Sequence, residues 1–102
     1  MSKLKKEDFV GLFAKWSKMR DEIQAHYKKR NNGSNDLMEK GIDLLNELID
    51  LADGTCPLNY QERFTFIKQN YKTFAAFRQL DELFKETEKK LALRFIMESR
   101  KP

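Results

Sequence analysis

Apolar residues recur along the chain at spacings of three and four, the pattern of a helix that buries one face. The first such run predicts a helix over about 6–30. Its apolar face comprises Phe9, Leu12, Phe13, Trp16, Met19, Ile23 and Tyr27. Acidic residues in its first turn and basic residues in its last turn complement the helix dipole. Asparagine, glycine and serine over 31–35 then predict a turn.

A second, wider apolar face predicts a helix over about 36–53. Asp36 with Glu39 three residues later is typical of a capping box, and Asn35 is an alternative cap. Gly54 predicts where this helix stops. The apolar face comprises Leu37, Met38, Ile42, Leu44, Leu45, Leu48, Ile49, Leu51 and Ala52. Its width implies contact with more than one neighbouring helix.

Two further helices are predicted in the second half of the chain. Asn59, followed by a glutamate three residues later, predicts the cap of a short helix over about 60–69. Thr73 is the predicted cap of a long helix over about 74–99. The apolar face of this last helix comprises Ala76, Phe77, Leu80, Leu83, Phe84, Leu91, Phe95 and Ile96.

The pattern therefore predicts an all-α fold, because no stretch alternates with the period of a β-strand. Four helices joined by brief loops form a compact antiparallel helical bundle, with three long helices and one short. A chain of 102 residues has the length of one domain, so a single helical domain is expected over 1–102.

The amino-acid composition argues against several classes of protein. Hydrophobic residues make up 40% of the chain, too many for a disordered protein, and no apolar run reaches the roughly 18 residues of a membrane-spanning helix. The lysine-rich start has no apolar stretch behind it, so neither a signal peptide nor a membrane anchor is expected. The basic, apolar stretch 89–97 is interpreted as helix packing rather than a membrane surface. A single cysteine, Cys56, cannot form an internal disulfide, which predicts a cytoplasmic protein.

Residues able to perform catalysis are scarce, so we expect no enzyme activity. His26 is the one histidine, and Cys56 lies far from it in the sequence. No spacing of ligands suggests a metal site, and the isolated glycines form no phosphate-binding loop. Glu47, Asp50 and Asp53 are interpreted as a solvated acidic face. The sequence predicts no catalytic residues, no cofactor, no metal and no evident small-molecule substrate.

The distribution of charged residues along the sequence makes nucleic-acid binding the alternative function. The net charge of +4 combines +5 over 1–30, −5 over 31–54 and +4 over 55–102. Candidate phosphate contacts lie in two clusters, Lys28, Lys29 and Arg30 after the first helix and Lys89 and Lys90 on the last. Arg78, Lys85 and Arg94 extend the second cluster. Interspersed acidic residues and the lack of any known recognition motif weigh against this alternative.

The leading hypothesis is a non-enzymatic helical module that binds a protein partner or self-associates. Arg20 and Arg63 lie beside apolar faces and are expected to pair with acidic residues of the second helix, for example Asp43 or Glu47. If the two arginines instead converge with Tyr27 and Gln79, a groove for an anionic ligand or peptide results. The predicted docking surface is the seam of the first and last helices, near Trp16, Arg20, Tyr27, Arg63 and Gln79.

Two parts of the sequence resemble the YpoC-like domain family of Firmicutes. The first comprises 12–16, 20–23 and 27–30, which read LFAKW, RDEI and YKKR. The second comprises 57–67 and 74–84, similar to the family's Asn-x-x-Glu-Arg-Leu-x-Phe-Ile and Gln-Leu-x-Glu-Leu-Phe segments. Phe64 stands where leucine is commoner in the family, and 73–76 departs from its pattern.

The resemblance implies a small helical cytoplasmic protein of low-GC Gram-positive bacteria. Genes of the family tend to lie near those for DNA repair and cell-wall synthesis, which suggests an accessory role. The family has no established activity, so the resemblance transfers no catalytic residue.

Overall fold

The four predicted helices are present in the computed structural model, which describes residues 5–30 and 33–99. The helices are α1 (Lys6–Lys28), α2 (Ser34–Leu51), α3 (Tyr60–Gln69) and α4 (Phe74–Ser99). The predicted all-α bundle of three long helices and one short helix is confirmed. No strand occurs in the two described ranges. Among the described helices, none is both long enough and apolar enough to cross a membrane.

Contacts between rings and side chains fix the direction of the helices. Phe9 lies 5.8 Å from Phe95 and Tyr27 lies 5.2 Å from Phe74, ring centroid to ring centroid, so α1 and α4 are antiparallel. α2 packs against both α1 and α4, whereas α3 packs on α4. Gly41 of α2 lies beside Leu80 and Ala52 contacts Arg94, so α2 runs parallel to α4 and opposite to α1.

The core lies between α1, α2 and α4 and is capped on one side by α3. At its centre the Trp16 indole stacks flat on Phe84, with ring centroids 4.4 Å apart and planes 9° apart. The largest side chains that are almost wholly buried are Ile23, Met38, Leu45, Leu48, Ile67, Leu80, Leu83, Phe84, Thr87 and Leu91. Most members of the predicted apolar faces are therefore core residues, while Leu51 and Ile96 remain exposed.

The boundaries of α1 and α2 differ from those predicted. α1 ends at Lys28 instead of Arg30, because Arg30 takes a left-handed backbone with φ of 55°. α2 begins at Ser34 and ends at Leu51, two residues earlier than predicted at both ends. The predicted capping box at Asp36 is wrong. The helix already begins at the buried Ser34, so Asp36 lies inside the first turn, and no described side chain caps the helix. The first two residues of the predicted turn, 31 and 32, lie outside the described residues.

α3 and α4 have the predicted boundaries, but only one of their two predicted caps forms. The Thr73 hydroxyl accepts a hydrogen bond from the Ala76 backbone N–H at 3.1 Å, which confirms Thr73 as the cap of α4. Asn59 occupies the position before α3 but makes no side-chain cap. Its backbone is left-handed, with φ of 57°, whereas a capping side chain usually extends from β-region backbone.

The end of α2 is closed by a residue of α4. Arg94 donates hydrogen bonds from Nη1 to the Ala52 carbonyl at 3.1 Å and to the Thr55 hydroxyl at 2.7 Å. The last turn of α2 contains no basic residue of its own. A cation at a helix C-terminus satisfies exposed carbonyls and complements the dipole, so Arg94 both caps α2 and fastens it to α4.

Candidate functional site

A surface groove runs along the seam between α1 and α4. Two rows of residues line it, each with alternating spacings of four and three residues, which keeps a row on one helix face. The α1 row comprises Lys6, Val10, Phe13, Ser17, Arg20 and Gln24. The α4 row comprises Phe74, Arg78, Asp81, Lys85, Glu88, Ala92 and Phe95. Three adjoining cavities of about 290, 160 and 240 Å³ make this α1–α4 groove continuous.

One end of the α1–α4 groove is apolar. Its 240 Å³ cavity lies between the start of α1 and the last turns of α4. Val10 is 58% exposed there, although Phe9, which precedes it in the sequence, is buried and Phe13, three residues later, is half-buried. Lys6 and Glu88, one charge of each sign, stand on the rim. Exposed aliphatic and aromatic surface in a concave site is typical of a protein-binding surface.

The other end of the α1–α4 groove is polar and mainly cationic. Its 290 Å³ cavity is lined by Arg20, Gln24, Phe74, Phe77, Arg78, Asp81, Glu82 and Lys85. Arg78 is exposed and forms no ion pair with any described residue. Tyr27 borders this end, where its ring meets Phe74 edge-on and lies 5.8 Å from Phe77. Phe74 and Phe77 thus line the same cavity as the charged side chains.

Asp81 joins α1 to α4 in the middle of the α1–α4 groove. The Trp16 indole Nε1 donates to Oδ1 of Asp81 at 3.0 Å, and Nη1 of Arg20 lies 3.8 Å from the same oxygen. Nζ of Lys85 lies 3.0 Å from Oδ2. The Asp81 side chain is only 16% exposed, so one largely buried carboxylate pairs with two more exposed cations, Arg20 and Lys85. This network fixes the separation of the two helices that form the groove.

A second polar cluster lies on another face of α4, against α3. Arg63 binds Glu86 through both oxygens, with Nη1 donating to Oε1 at 3.0 Å. The Gln79 side-chain oxygen, oriented toward Arg63, accepts from Nη2 at 2.9 Å and from Nε. Arg63 also lies 4.0 Å from Glu82. The hydrogen bond and charge of Arg63 lower the pKa of Glu86, and the Glu86 hydrogen bond raises the pKa of Arg63.

The five residues predicted to mark the docking surface therefore divide between two places. Trp16 lies beneath the α1–α4 groove, Arg20 lines it and Tyr27 borders it. Arg63 and Gln79 belong to the cluster against α3, so the two arginines do not converge in one pocket.

The expected pairing of these arginines with Asp43 or Glu47 is wrong. Arg20 and Arg63 both pair with carboxylates of α4, whereas Asp43 and Glu47 are exposed on α2. The reason is geometric: the apolar face of α2 turns inward, so its acidic face points away from α1 and α3.

The candidate nucleic-acid contacts lie in separate places. Lys28, Lys29 and Arg30 follow Tyr27 and so lie beside the start of α4. Lys89 and Lys90 are exposed fifteen residues along α4 from Phe74, a distance of roughly 22 Å at 1.5 Å per residue. Two other cations of α4 have partners, since Lys85 pairs with Asp81 and Arg94 caps α2. Arg78, Lys85 and Lys89 lie on one face of α4 at spacings of seven and four, and the carboxylates of Asp81 and Glu82 lie among them.

The chemistry of the remaining candidate residues is limited. Cys56 is a half-buried free thiol. Within the described ranges, no three histidine, cysteine or acidic side chains are arranged to hold a metal ion. Burial, with smaller contributions from Asp50 and Cys56, raises the pKa of Tyr60 to about 12. The buried Tyr60 hydroxyl has no hydrogen-bond partner among the described residues.

The sequence patterns do not identify Val10, Ser17 and Gln24 as site residues, and they indicate Arg78 only as a candidate phosphate contact. Val10, Ser17 and Gln24 recur every seven residues, and this spacing was the available signal. This spacing does not stand out in the sequence, because Val10 is the one apolar residue of the three and lies next to the apolar face that packs in the core. A row that combines apolar, polar and charged side chains has no single hydrophobic pattern.

Comparison with known proteins identifies the family of the chain. No curated protein and no solved structure matches it significantly. The model of the YpoC-like protein family matches residues 6–99, which include both walls of the α1–α4 groove. Because this match covers nearly the whole sequence, the chain belongs to the YpoC-like family.

Proposed function

We propose that this protein is a non-enzymatic interaction module that binds a protein partner in the α1–α4 groove. The observation that carries the proposal is the continuity of the groove, which extends from the exposed Val10 to the cationic end at Arg20 and Arg78. Surface grooves between two helices commonly receive a segment of another protein. The module is proposed to act in the cytoplasm, where a free thiol such as Cys56 is usual.

The apolar end of the groove supplies the source of binding energy. Phe13 and Phe95 are half-buried, and Val10 is mostly exposed, so a partner side chain seated among them would remove further apolar surface from water. Aromatic residues at the centre of such contacts contribute much of the binding energy in protein interfaces. This end is therefore the proposed anchor point.

The Asp81 network supports the proposal because it keeps the groove open before a partner arrives. Trp16 is stacked on Phe84 and hydrogen-bonded to Asp81, so α1 cannot slide along α4 without breaking that bond. A preformed site avoids the conformational cost of ordering during association.

The carboxylates that lie among the basic residues favour a protein partner over nucleic acid. Contacts to phosphates are most effective when cations follow one path along the surface. Here Lys28 and Lys89 lie near different parts of α4, and Asp81, Glu82 and Glu88 are interspersed with the cations between them.

The proposal is tested by comparing two matched substitutions in a capture experiment. Val10→Glu places a charge in the apolar end of the groove, and Leu93→Glu places the same charge at an equally exposed apolar position of α4 outside it. The wild-type protein and both variants are immobilised and exposed to an extract of cells that express the protein. Retained proteins are quantified by mass spectrometry, then purified and their affinities measured.

We expect a partner that the wild-type protein and Leu93→Glu retain and that Val10→Glu binds at least about tenfold more weakly. Circular dichroism of each variant verifies that the fold is unchanged. A partner retained equally by all three proteins, or no partner sensitive to Val10→Glu, contradicts the proposed docking surface. Self-association through the groove would appear as a change of mass in sedimentation that Val10→Glu abolishes.

A further inference from the structure

We infer that the protein self-associates end to side, with one end of the bundle in one copy bound to the outer face of α2 in a second copy. The inference goes beyond the proposed function and does not rest on it, because neither surface includes the apolar end of the α1–α4 groove. The two surfaces carry opposite charge, and neither finds its counter-charges among the described residues of one molecule.

The end of the bundle at which α1 and α3 finish and α4 begins is strongly basic. The Tyr27 ring contacts that of Phe74 at the start of α4, and only four residues connect α3 to α4, so the ends of α1 and α3 meet there. The exposed cations of this basic end are Lys28, Lys29, Arg30, Lys68, Lys72 and Arg78. None of the six forms an ion pair with a described residue. The segments 25–37 and 66–78, which form this end, contain Asp36 as their single acidic residue.

The outer face of α2 has the opposite charge. Its carboxylates recur at spacings of three and four residues, which places them on one side of the helix. This acidic face comprises Glu39, Asp43, Glu47 and Asp50, with Asp53 following the helix. All five are exposed, and none forms an ion pair with a described residue. Lys40 is the single basic residue of α2.

The two surfaces face in different directions within one molecule. The apolar face of α2 is turned into the core, so the acidic face points outward, and Ala52 contacts Arg94 at the end of the bundle opposite Phe74. A second copy supplies carboxylates for the basic end and cations for the acidic face. Single exposed ion pairs contribute little, but several in one contact act together and fix its register. Nucleic acid would satisfy the basic end alone, and so accounts for only one of the two surfaces.

The dimensions and the apolar side chains of the two surfaces also match. From Glu39 to Asp53 the acidic face is roughly 21 Å long at 1.5 Å per residue, and the bundle is 25 × 18 Å across. Leu51 is 39% exposed beside the acidic face, and Phe74 is 46% exposed at the basic end. Apolar side chains surrounded by charged ones are the usual arrangement of a protein interface. A second copy therefore fits the basic end in size, charge and apolar surface.

Sedimentation equilibrium of the full chain measures the self-association. At about 50 mM salt we expect the weight-average mass of the wild-type protein to rise above the monomer mass as its concentration approaches about 1 mM. At about 500 mM salt the mass should fall back toward that of the monomer, because salt screens the exposed charges of both surfaces.

Charge reversal on one surface at a time identifies the contact. Lys29→Glu with Lys72→Glu reverses two cations of the basic end, and Asp43→Lys with Glu47→Lys reverses two carboxylates of the acidic face. Each double variant alone is expected to self-associate at least about tenfold more weakly than the wild-type protein. An equimolar mixture of the two is expected to regain association, because the intact acidic face of the first can bind the intact basic end of the second.

A matched control separates this contact from an effect of net charge. Lys15→Glu with Lys18→Glu changes the net charge as much as the basic-end variant does, at exposed positions of α1 outside both surfaces. It is expected to change the self-association less than about twofold. Val10→Glu, in the groove, should leave it unchanged. Circular dichroism of each variant verifies that the fold is retained.

Several results would overturn the end-to-side contact. One is a wild-type protein that stays monomeric at every concentration, and another is association that neither double variant weakens. Association that both double variants lose but their mixture does not regain overturns the pairing of these two surfaces. Association that only Val10→Glu abolishes places the self-contact in the groove instead. Single-stranded DNA that binds tightly to the wild-type protein but not to the basic-end variant, without self-association, makes nucleic acid the occupant of the basic end.

Discussion

At the scale of single residues, Gly41 determines how closely α2 approaches the central indole. A Cβ atom at this position would lie 2.7 Å from Cζ3 of Trp16 and 3.2 Å from Cδ2 of Leu80. Glycine in a helix costs about 1 kcal/mol relative to alanine. That cost is offset here because the missing side chain lets Trp16 stack on Phe84 and reach Asp81. The sequence shows the glycine, but it does not show which side chain of another helix occupies the space beside it.

Gly41→Ala is expected to destabilise the protein by about 1–3 kcal/mol, because the new methyl group overpacks the core. Gly11→Ala is the matched control, since a Cβ at Gly11 meets no atom within 4 Å. There the gain in helix propensity is expected to stabilise the protein by up to about 1 kcal/mol. Urea unfolding followed by the fluorescence of Trp16 measures both. Equal effects of the two substitutions would contradict the close approach of α2.

Tyr60 provides a second test at the residue scale. Its buried hydroxyl lacks a described partner, and burial raises its pKa from 10.0 to about 12. A group whose pKa is higher in the folded state contributes stability below the unfolded pKa and loses it above. Stability should therefore fall between pH 10 and 12 in the wild-type protein. Tyr60→Phe should remove this part of the pH dependence in urea unfolding, and should be neutral or slightly stabilising at pH 7. An unchanged pH profile would count against the burial of this hydroxyl.

At the scale of elements, the helices follow from sequence periodicity but their ends depend on distant residues. α3 and α4 have the predicted boundaries, and Thr73 caps α4 through a contact three residues away. The end of α2 depends instead on Arg94, which is 42 residues from Ala52. The sequence placed Arg94 in a basic cluster, because no local pattern identifies a capping residue on another helix. Local signals therefore predict local caps only.

Arg94→Ala is expected to destabilise the protein by about 1–3 kcal/mol, since it removes the charged donor to the Ala52 and Asp53 carbonyls and to the Thr55 hydroxyl. Hydrogen exchange should show the loss first in the last turn of α2. Arg94→Lys restores the charge but not the geometry of the guanidinium, so it should recover part of the loss. Arg78→Ala, which removes an arginine without a described partner, should change stability by less than about 0.5 kcal/mol. Similar losses for Arg94→Ala and Arg78→Ala would refute the capping role.

At the scale of the whole molecule, the sequence predicted the bundle but not the groove on its surface. The fold follows from four apolar faces, each contained in one segment of chain. The α1–α4 groove is formed by two rows more than forty residues apart in sequence, from Lys6 to Gln24 and from Phe74 to Phe95. The α1–α4 groove lies along the predicted seam, but Arg63 and Gln79 lie outside it because α3 covers another face of α4.

The net charge of +4 is not expected to produce specific binding of nucleic acid. Non-specific dissociation constants for DNA-binding proteins lie at about 1–100 μM in physiological salt, and basic residues with carboxylates among them should give weaker binding still. Fluorescence anisotropy of labelled duplex and single-stranded DNA should therefore show no saturation below about 100 μM protein. Tight binding that weakens log-linearly with salt, and that is lost on substitution of Lys28 or Lys89, would favour the nucleic-acid alternative.

Photo-crosslinking inside cells tests the central claim, that the α1–α4 groove is the docking surface, most directly. A photoreactive residue is placed in turn at Val10, Ser17 and Gln24, which are exposed along the groove, and at Asn46 and Leu93, which are exposed outside it. We predict that the three groove positions crosslink to the same protein and that the two control positions do not. Crosslinks to that protein from Asn46 or Leu93 but not from the groove would contradict it.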